Sequence, residues 1–100
     1  MLTSKQRAYL RSLANDYDSL FQVGKSGITD TVIKQVEDAL RARELIKINS
    51  LENTPIPPKE VAQDISEKVK CDVVQVIGRK IILYKRNDKD PKIVLPKNKK

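Results

Sequence analysis

Between Leu20 and Leu51 the apolar residues change their period twice, and that alternation constrains the fold more than any other feature. "LFQV" (20–23) reads as a short strand. Val32, Ile33, Val36, Ala39, Leu40 and Arg43 then fall at i, i+1, i+4, i+7, i+8 and i+11, one face of a helix over about residues 29–43. Lys34, Glu37, Asp38 and Arg41 fall on the opposite face. "LIKINSL" returns to a period of two, as a half-buried strand does. Helical connections between strands imply at least one parallel pair.

The flanking segments extend the alternation. In "TSKQRAYLRSLAN" Thr3 can cap a helix, with Gln6 completing a capping box. Leu10, Leu13 and Ala14, flanked by Gln6 and Tyr9, form its apolar stripe, while Arg7 and Arg11 share another face. "NDYDS" breaks the helix, and the prolines of "ENTPIPP" mark a linker. "PPKEVAQDISEKVK" predicts a third helix, with Pro58 near its first turn and Val61, Ala62, Ile65 and Val69 facing inward. "CDVVQVIGRKIILYK" predicts two strands joined at Gly78-Arg79. The expected order is α-β-α-β-α-β-β: an α/β (α+β, two-layer) domain whose helices pack on a four-stranded mixed sheet.

Length limits this chain to one domain. Its 100 residues, 39% hydrophobic, support a single modest core. Residues 1–96 are expected to form that domain, and 97–100 a basic, disordered tail. Between Lys85 and Lys100 there are seven Lys or Arg against two Asp, either a solvated terminus or a non-specific phosphate contact. The formal net charge of +7 favours an anionic partner, nucleic acid first and acidic protein or anionic lipid after it.

Composition also narrows the chemistry. The chain has no histidine, the commonest general base near neutral pH and the commonest metal ligand. Cys71 is the only cysteine, which excludes an intramolecular disulfide and a thiolate metal cluster. It reads as a small hydrophobe at the start of a strand. No catalytic residue, metal or cofactor is expected, nor a small-molecule substrate. No apolar run approaches the roughly 20 residues needed to span a bilayer. "MLTSKQRAYL" lacks a secretory signal pattern, so no membrane association and a cytoplasmic setting are expected. The absence of a heptad pattern suggests a monomer.

Two phosphate-handling signatures compete for Gly24-Lys25-Ser26-Gly27. A P-loop needs its first glycine five residues before the second, but Ser19 stands there. The intervening Leu20, Phe21, Gln22 and Val23 have strand character, leaving no loop to wrap a phosphate. The alternative is a G-x-x-G turn feeding a helix. Glycines let the backbone approach a ligand closely, and the first helical N–H groups are unpaired and carry positive partial charge. Lys25 supplies a mobile cation and Ser26 a hydroxyl, which together suit a sugar-phosphate backbone. Asp30, in the first turn, could cap those N–H groups and repel a phosphate. The same pattern also serves as a plain strand-to-helix turn. Tyr9, Tyr17, Phe21 and Tyr84 are the only aromatic residues, too few for a base-stacking platform, so shape and backbone readout of structured RNA is expected.

"LTSKQRAYLRSLAN", "QVGKSGITDTVIKQVEDAL", "RELIKI" and "VVQVIGRKIILYK" with the later "IVLP" together resemble the CRM domain family (chloroplast RNA splicing and ribosome maturation), above all its stand-alone bacterial, YhbY-type form. The resemblance implies a fold similar to the C-terminal domain of translation initiation factor three. It implies RNA binding, association with pre-ribosomal particles of the large subunit, and a role in their assembly. It places the RNA contact at Gly24, Lys25, Ser26 and Gly27 with nearby basic residues. Many members carry histidine after the first helix and before "ELIK", where this chain has Asn15 and Arg41-Ala42-Arg43.

The leading expectation is a non-catalytic RNA-binding module with ribosomal RNA or a large-subunit precursor as partner. Arg7, Arg11, Lys34 and Arg41 are its candidate outlying contacts. The alternative is a protein-interaction module whose partner is an acidic ribosomal protein or assembly factor. A small phosphate-ester hydrolase would use the same anion cradle, but the chain offers no histidine or evident nucleophile.

Overall fold

A computed structural model describes residues 2–87, 89, 91 and 93–95. The elements follow the expected order: α1 (Ser4–Ala14), β1 (Gln22–Val23), α2 (Asp30–Arg43), β2 (Leu45–Ser50), α3 (Pro58–Val69), β3 (Asp72–Ile77) and β4 (Lys80–Tyr84). The expected tail, 97–100, lies outside the described residues.

Local chemistry starts each helix. Thr3 caps α1 through the full capping box: the Gln6 N–H donates to Thr3 Oγ1 and the Thr3 N–H to Gln6 Oε1, both at 3.1 Å. Thr29 caps α2, its Oγ1 accepting from the Val32 N–H at 3.2 Å. Pro58 occupies the first turn of α3, where a missing N–H costs nothing.

The sheet runs β1-β2-β4-β3. β1 and β2 are parallel, and β4 is antiparallel to both of its neighbours. Pairing with β2 extends beyond β1 itself, since the Leu20 N–H donates to the Lys47 carbonyl and the Asn49 N–H to the Phe21 carbonyl. Both helical crossovers, β1-α2-β2 and β2-α3-β3, step the same way across the sheet. Right-handed crossovers therefore place α2 and α3 on one face. There Val32, Val36, Leu40, Val61, Ile65 and Val69 pack against Val23, Ile46, Ile48, Ile81 and Leu83.

α1 lies on the opposite face. Leu10 and Ala14 pack against Leu45, Val74, Ile82 and Tyr84, with Ile93 and Leu95 alongside. The helices therefore cover both sides of the sheet, and the arrangement has three layers where two were expected. The cause is visible in β4, where Ile81 to Tyr84 form a continuous apolar run buried on both faces, and at the start of β2, where Leu45 and Ile46 are both buried. One side chain assigned to the buried face of α2 also differs: Arg43, the last residue of the helix, is exposed and keeps its guanidinium in water, while Leu40 and Glu44 on either side of it are buried.

Candidate nucleic-acid interface

The Gly24-Lys25-Ser26-Gly27 segment is a tight turn closed by a bond from the Gly27 N–H to the Gly24 carbonyl at 2.9 Å. Gly27 has φ +71°, which glycine adopts without the Cβ clash that penalises other residues. Gly24 lies close to the following loop, and a Cβ there would meet Leu51 Cδ1 at 3.4 Å. That loop is itself fastened to β1. Thr54 Oγ1 donates to the Val23 carbonyl at 2.8 Å, the buried Ser50 hydroxyl donates to Thr54 Oγ1 at 3.3 Å, and the Leu51 N–H reaches the Val23 carbonyl. The turn is thus held from beneath by a polar network that sequence reasoning did not single out, although Ser50 and Thr54 were visible beside the linker.

The apex faces outward. Lys25 and Ser26 are exposed, and among the described residues their side chains and backbone N–H groups enter no hydrogen bond or ion pair. Asp30 does not cap the helix: Thr29 makes the capping bond, and Asp30 is an exposed first-turn residue. Its charge still lies close to the helix start and weakens the local positive field.

The other candidate residues are dispersed. Lys34 lies one helical turn into α2, and Arg41 about 16 Å from Asp30 at 1.5 Å per residue. Both belong to one exposed cluster, in which Asp38 pairs with Lys34 at 3.7 Å and with Arg41 at 3.2 Å. Arg11 is exposed on α1, across the sheet from α2. Arg7 is engaged structurally: its guanidinium donates to the Val73 carbonyl and, at 3.4 Å, to that of Val74. The register shift between Val73 and Gln75 leaves a bulge there, and Arg7 fastens α1 to it. The turn and Lys34 therefore form one neighbourhood, while Arg7, Arg11 and Arg41 lie apart from it.

Sequence reasoning also missed Glu44, which is fully buried with φ +66° immediately after α2. Its carboxylate accepts from the Asn87 N–H at 2.6 Å and the Ile93 N–H at 2.7 Å, and its carbonyl accepts from the Lys85 N–H at 2.9 Å. One carboxylate thereby ties the segment after β4 to the body of the domain. No local pattern announces such a residue, since its partners are over 40 positions away in the chain.

Cys71 is half-buried, and burial, reinforced by Asp72, pushes its thiol from 9.0 up to about 11. It is a poor nucleophile at neutral pH. Among the described residues no cluster of three or more Cys, Asp or Glu side chains could hold a metal ion, and no helix is long and apolar enough to cross a membrane.

Strand, glycine turn and capped helix, mounted on this mixed sheet, define a small α/β domain that offers main-chain donors and a cation to an anion. The chain belongs to the CRS1/YhbY (CRM) domain family, which it matches over residues 2–85. It is 44% identical to the Bacillus subtilis "Probable RNA-binding protein YqeI" over 96% of this chain and 100% of that one. It is 31% identical to a Haemophilus influenzae protein named "RNA-binding protein" over 96% of each. The solution structure of the hypothetical protein SAV1595 from Staphylococcus aureus superposes with a TM-score of 0.81 at 47% identity, over 96% of this chain and 100% of that one.

Proposed function

We propose that the chain is a non-catalytic RNA-binding protein that docks on structured ribosomal RNA through the glycine turn and acts in assembly of the large ribosomal subunit, as a cytoplasmic monomer. The observation that carries this reading is the turn itself: a rigidly supported, outward-facing corner with uncommitted N–H groups and an uncommitted ammonium. The net charge of +7 and the names of the relatives agree with a polyanionic partner. Gly24 and Gly27 shape the backbone, Lys25 and Ser26 contact phosphate, and Lys34 is the nearest supporting cation. Arg11 and Arg41 are peripheral contacts, and Arg7 acts mainly by holding α1.

Such docking releases counterions, so log K should fall linearly with log salt. With protein-free ribosomal RNA as probe, Lys25→Ala should reduce that slope by about one unit and leave folding intact. Unchanged affinity and slope would remove the turn from the contact surface. Failure of the unaltered protein to bind at physiological salt would favour an acidic protein partner instead.

A further inference from the structure

We infer that the RNA backbone continues from the glycine turn across the uncovered half of the sheet, on the face that carries α1, with Lys47 and Lys80 as its contacts. This rests on the RNA-binding reading above and names the path beyond the turn.

Strand register sets out the surface. Gln22 pairs with Asn49, Asn49 with Lys80, and Lys80 with Ile77, so these four form one row across all four strands. Direct cross-strand partners share a face. The row shares its face with Ile82 and Tyr84, which lie two and four residues along β4 from Lys80 and pack against α1. α1 covers only the Leu45 and Tyr84 end of that face. At the other end Gln22, Lys80 and Ile77 are exposed, and Asn49 is half-buried. The next row holds Lys47 opposite Ile82, with Leu20 beside it on the edge. Gln22 stands two positions before Gly24, so the first row and the turn are continuous. Two strand spacings, on the order of 10 Å, separate Gln22 from Lys80.

Charge distinguishes this face from the exposed face of α2. On α2, Lys34 and Arg41 share the carboxylate of Asp38. On the sheet, Lys47 and Lys80 make no ion pair among the described residues; Lys80 reaches only the Ser19 hydroxyl, at 3.5 Å. Asp18 lines the same shallow concavity as Lys47 without pairing with it. Arg79, in the adjacent hairpin, is engaged by Glu52 at 3.6 Å and is left out of the contact set. A polyanion leaving the turn therefore meets uncompensated ammonium groups and amide side chains on the sheet, and a neutralised cluster on the helix. Gln22 and Asn49 suit phosphate and ribose hydroxyls, which accept and donate hydrogen bonds without regard to sequence.

Two double variants that remove the same charge decide the matter. Lys47→Gln with Lys80→Gln should lower the slope of log K against log salt by about 1.5, and affinity for protein-free ribosomal RNA about tenfold at 150 mM salt. Lys68→Gln with Lys70→Gln, exposed at the end of α3 on the opposite side of the sheet, should change the slope by less than about 0.5 and affinity less than about threefold. Equal losses from the two pairs, or a larger loss from the helix pair, would overturn the path. If Lys25→Ala weakens binding while the sheet pair changes nothing, only the path fails; if the unaltered protein does not bind RNA, the parent reading fails with it. Should the sheet double variant not fold, Lys80→Gln alone decides, with an expected slope loss of about 0.8.

Discussion

The two ends of α2 solve opposite problems. At its start, the glycine turn leaves Lys25, Ser26 and their amides uncommitted at the surface. At its end, Glu44 is fully buried and takes hydrogen bonds from Lys85, Asn87 and Ile93. Both ends hold a backbone at positive φ, Gly27 at +71° and Glu44 at +66°. Glycine adopts that conformation at no steric cost, whereas glutamate is held there by its hydrogen bonds. Polar groups left exposed are available to a ligand, and polar groups satisfied internally hold the chain together. Removing one kind should cost binding, and removing the other should cost stability.

The largest effect is expected at the satisfied end. Glu44→Ala takes the buried acceptor away from the half-buried Asn87 and Ile93 N–H groups and should destabilise the domain by about 3 kcal/mol. In a chain of this size the thermal midpoint should fall by more than about 10 °C. RNA affinity of the protein that remains folded at low temperature should stay within about twofold. A stable Glu44→Ala protein would mean that the strap after β4 does not depend on this carboxylate.

The turn should respond more weakly and unequally. Gly27→Ala must accept φ +71° with a Cβ and is expected to cost about 1–2 kcal/mol in chemical denaturation. Gly24→Ala meets only the end of the Leu51 side chain, at 3.4 Å, and should cost less than about 0.5 kcal/mol while still weakening RNA binding by obstructing close approach. Equal destabilisation by the two would show that support from the loop at 51–55, and not backbone conformation, sets the cost.

The smallest effect is confined to alkaline solution. The Cys71 thiol titrates near 11 in the folded state, against 9.0 when unperturbed. Burial of the neutral thiol therefore favours the folded state fully below pH 9, and the contribution disappears as pH climbs past 11. Cys71→Ala should flatten that alkaline loss when the two proteins' denaturation midpoints are compared between pH 8 and pH 11, with no pH-dependent difference below pH 8.

Much of this architecture was legible in the residues. Val32, Val36 and Leu40, and Val61, Ala62, Ile65 and Val69, declared their buried faces by helical spacing, and Thr3 with Gln6 declared the first cap. Gly78, at φ +57° in the first position of the hairpin loop, announced the β3–β4 connection. The placement of α1 was not legible, because a stripe such as Leu10 and Ala14 fits either face of a sheet in which β4 is apolar on both and β2 begins with the apolar pair Leu45-Ile46. Arg7 and Glu44 were illegible for a related reason: their partners are set by long-range packing, and an isolated charge beside a helix carries no mark of what it will meet. The glycine turn could be read because its geometry is local.

The central claim is that the corner after β1 touches RNA. A photoreactive side chain placed at Ser26, with a matched one at the exposed Gln63 of α3 as control, would test it directly in growing cells. The account predicts adducts from position 26 at a small set of neighbouring ribosomal RNA nucleotides, and few from position 63. Efficient RNA adducts from position 63 with none from position 26 would contradict it.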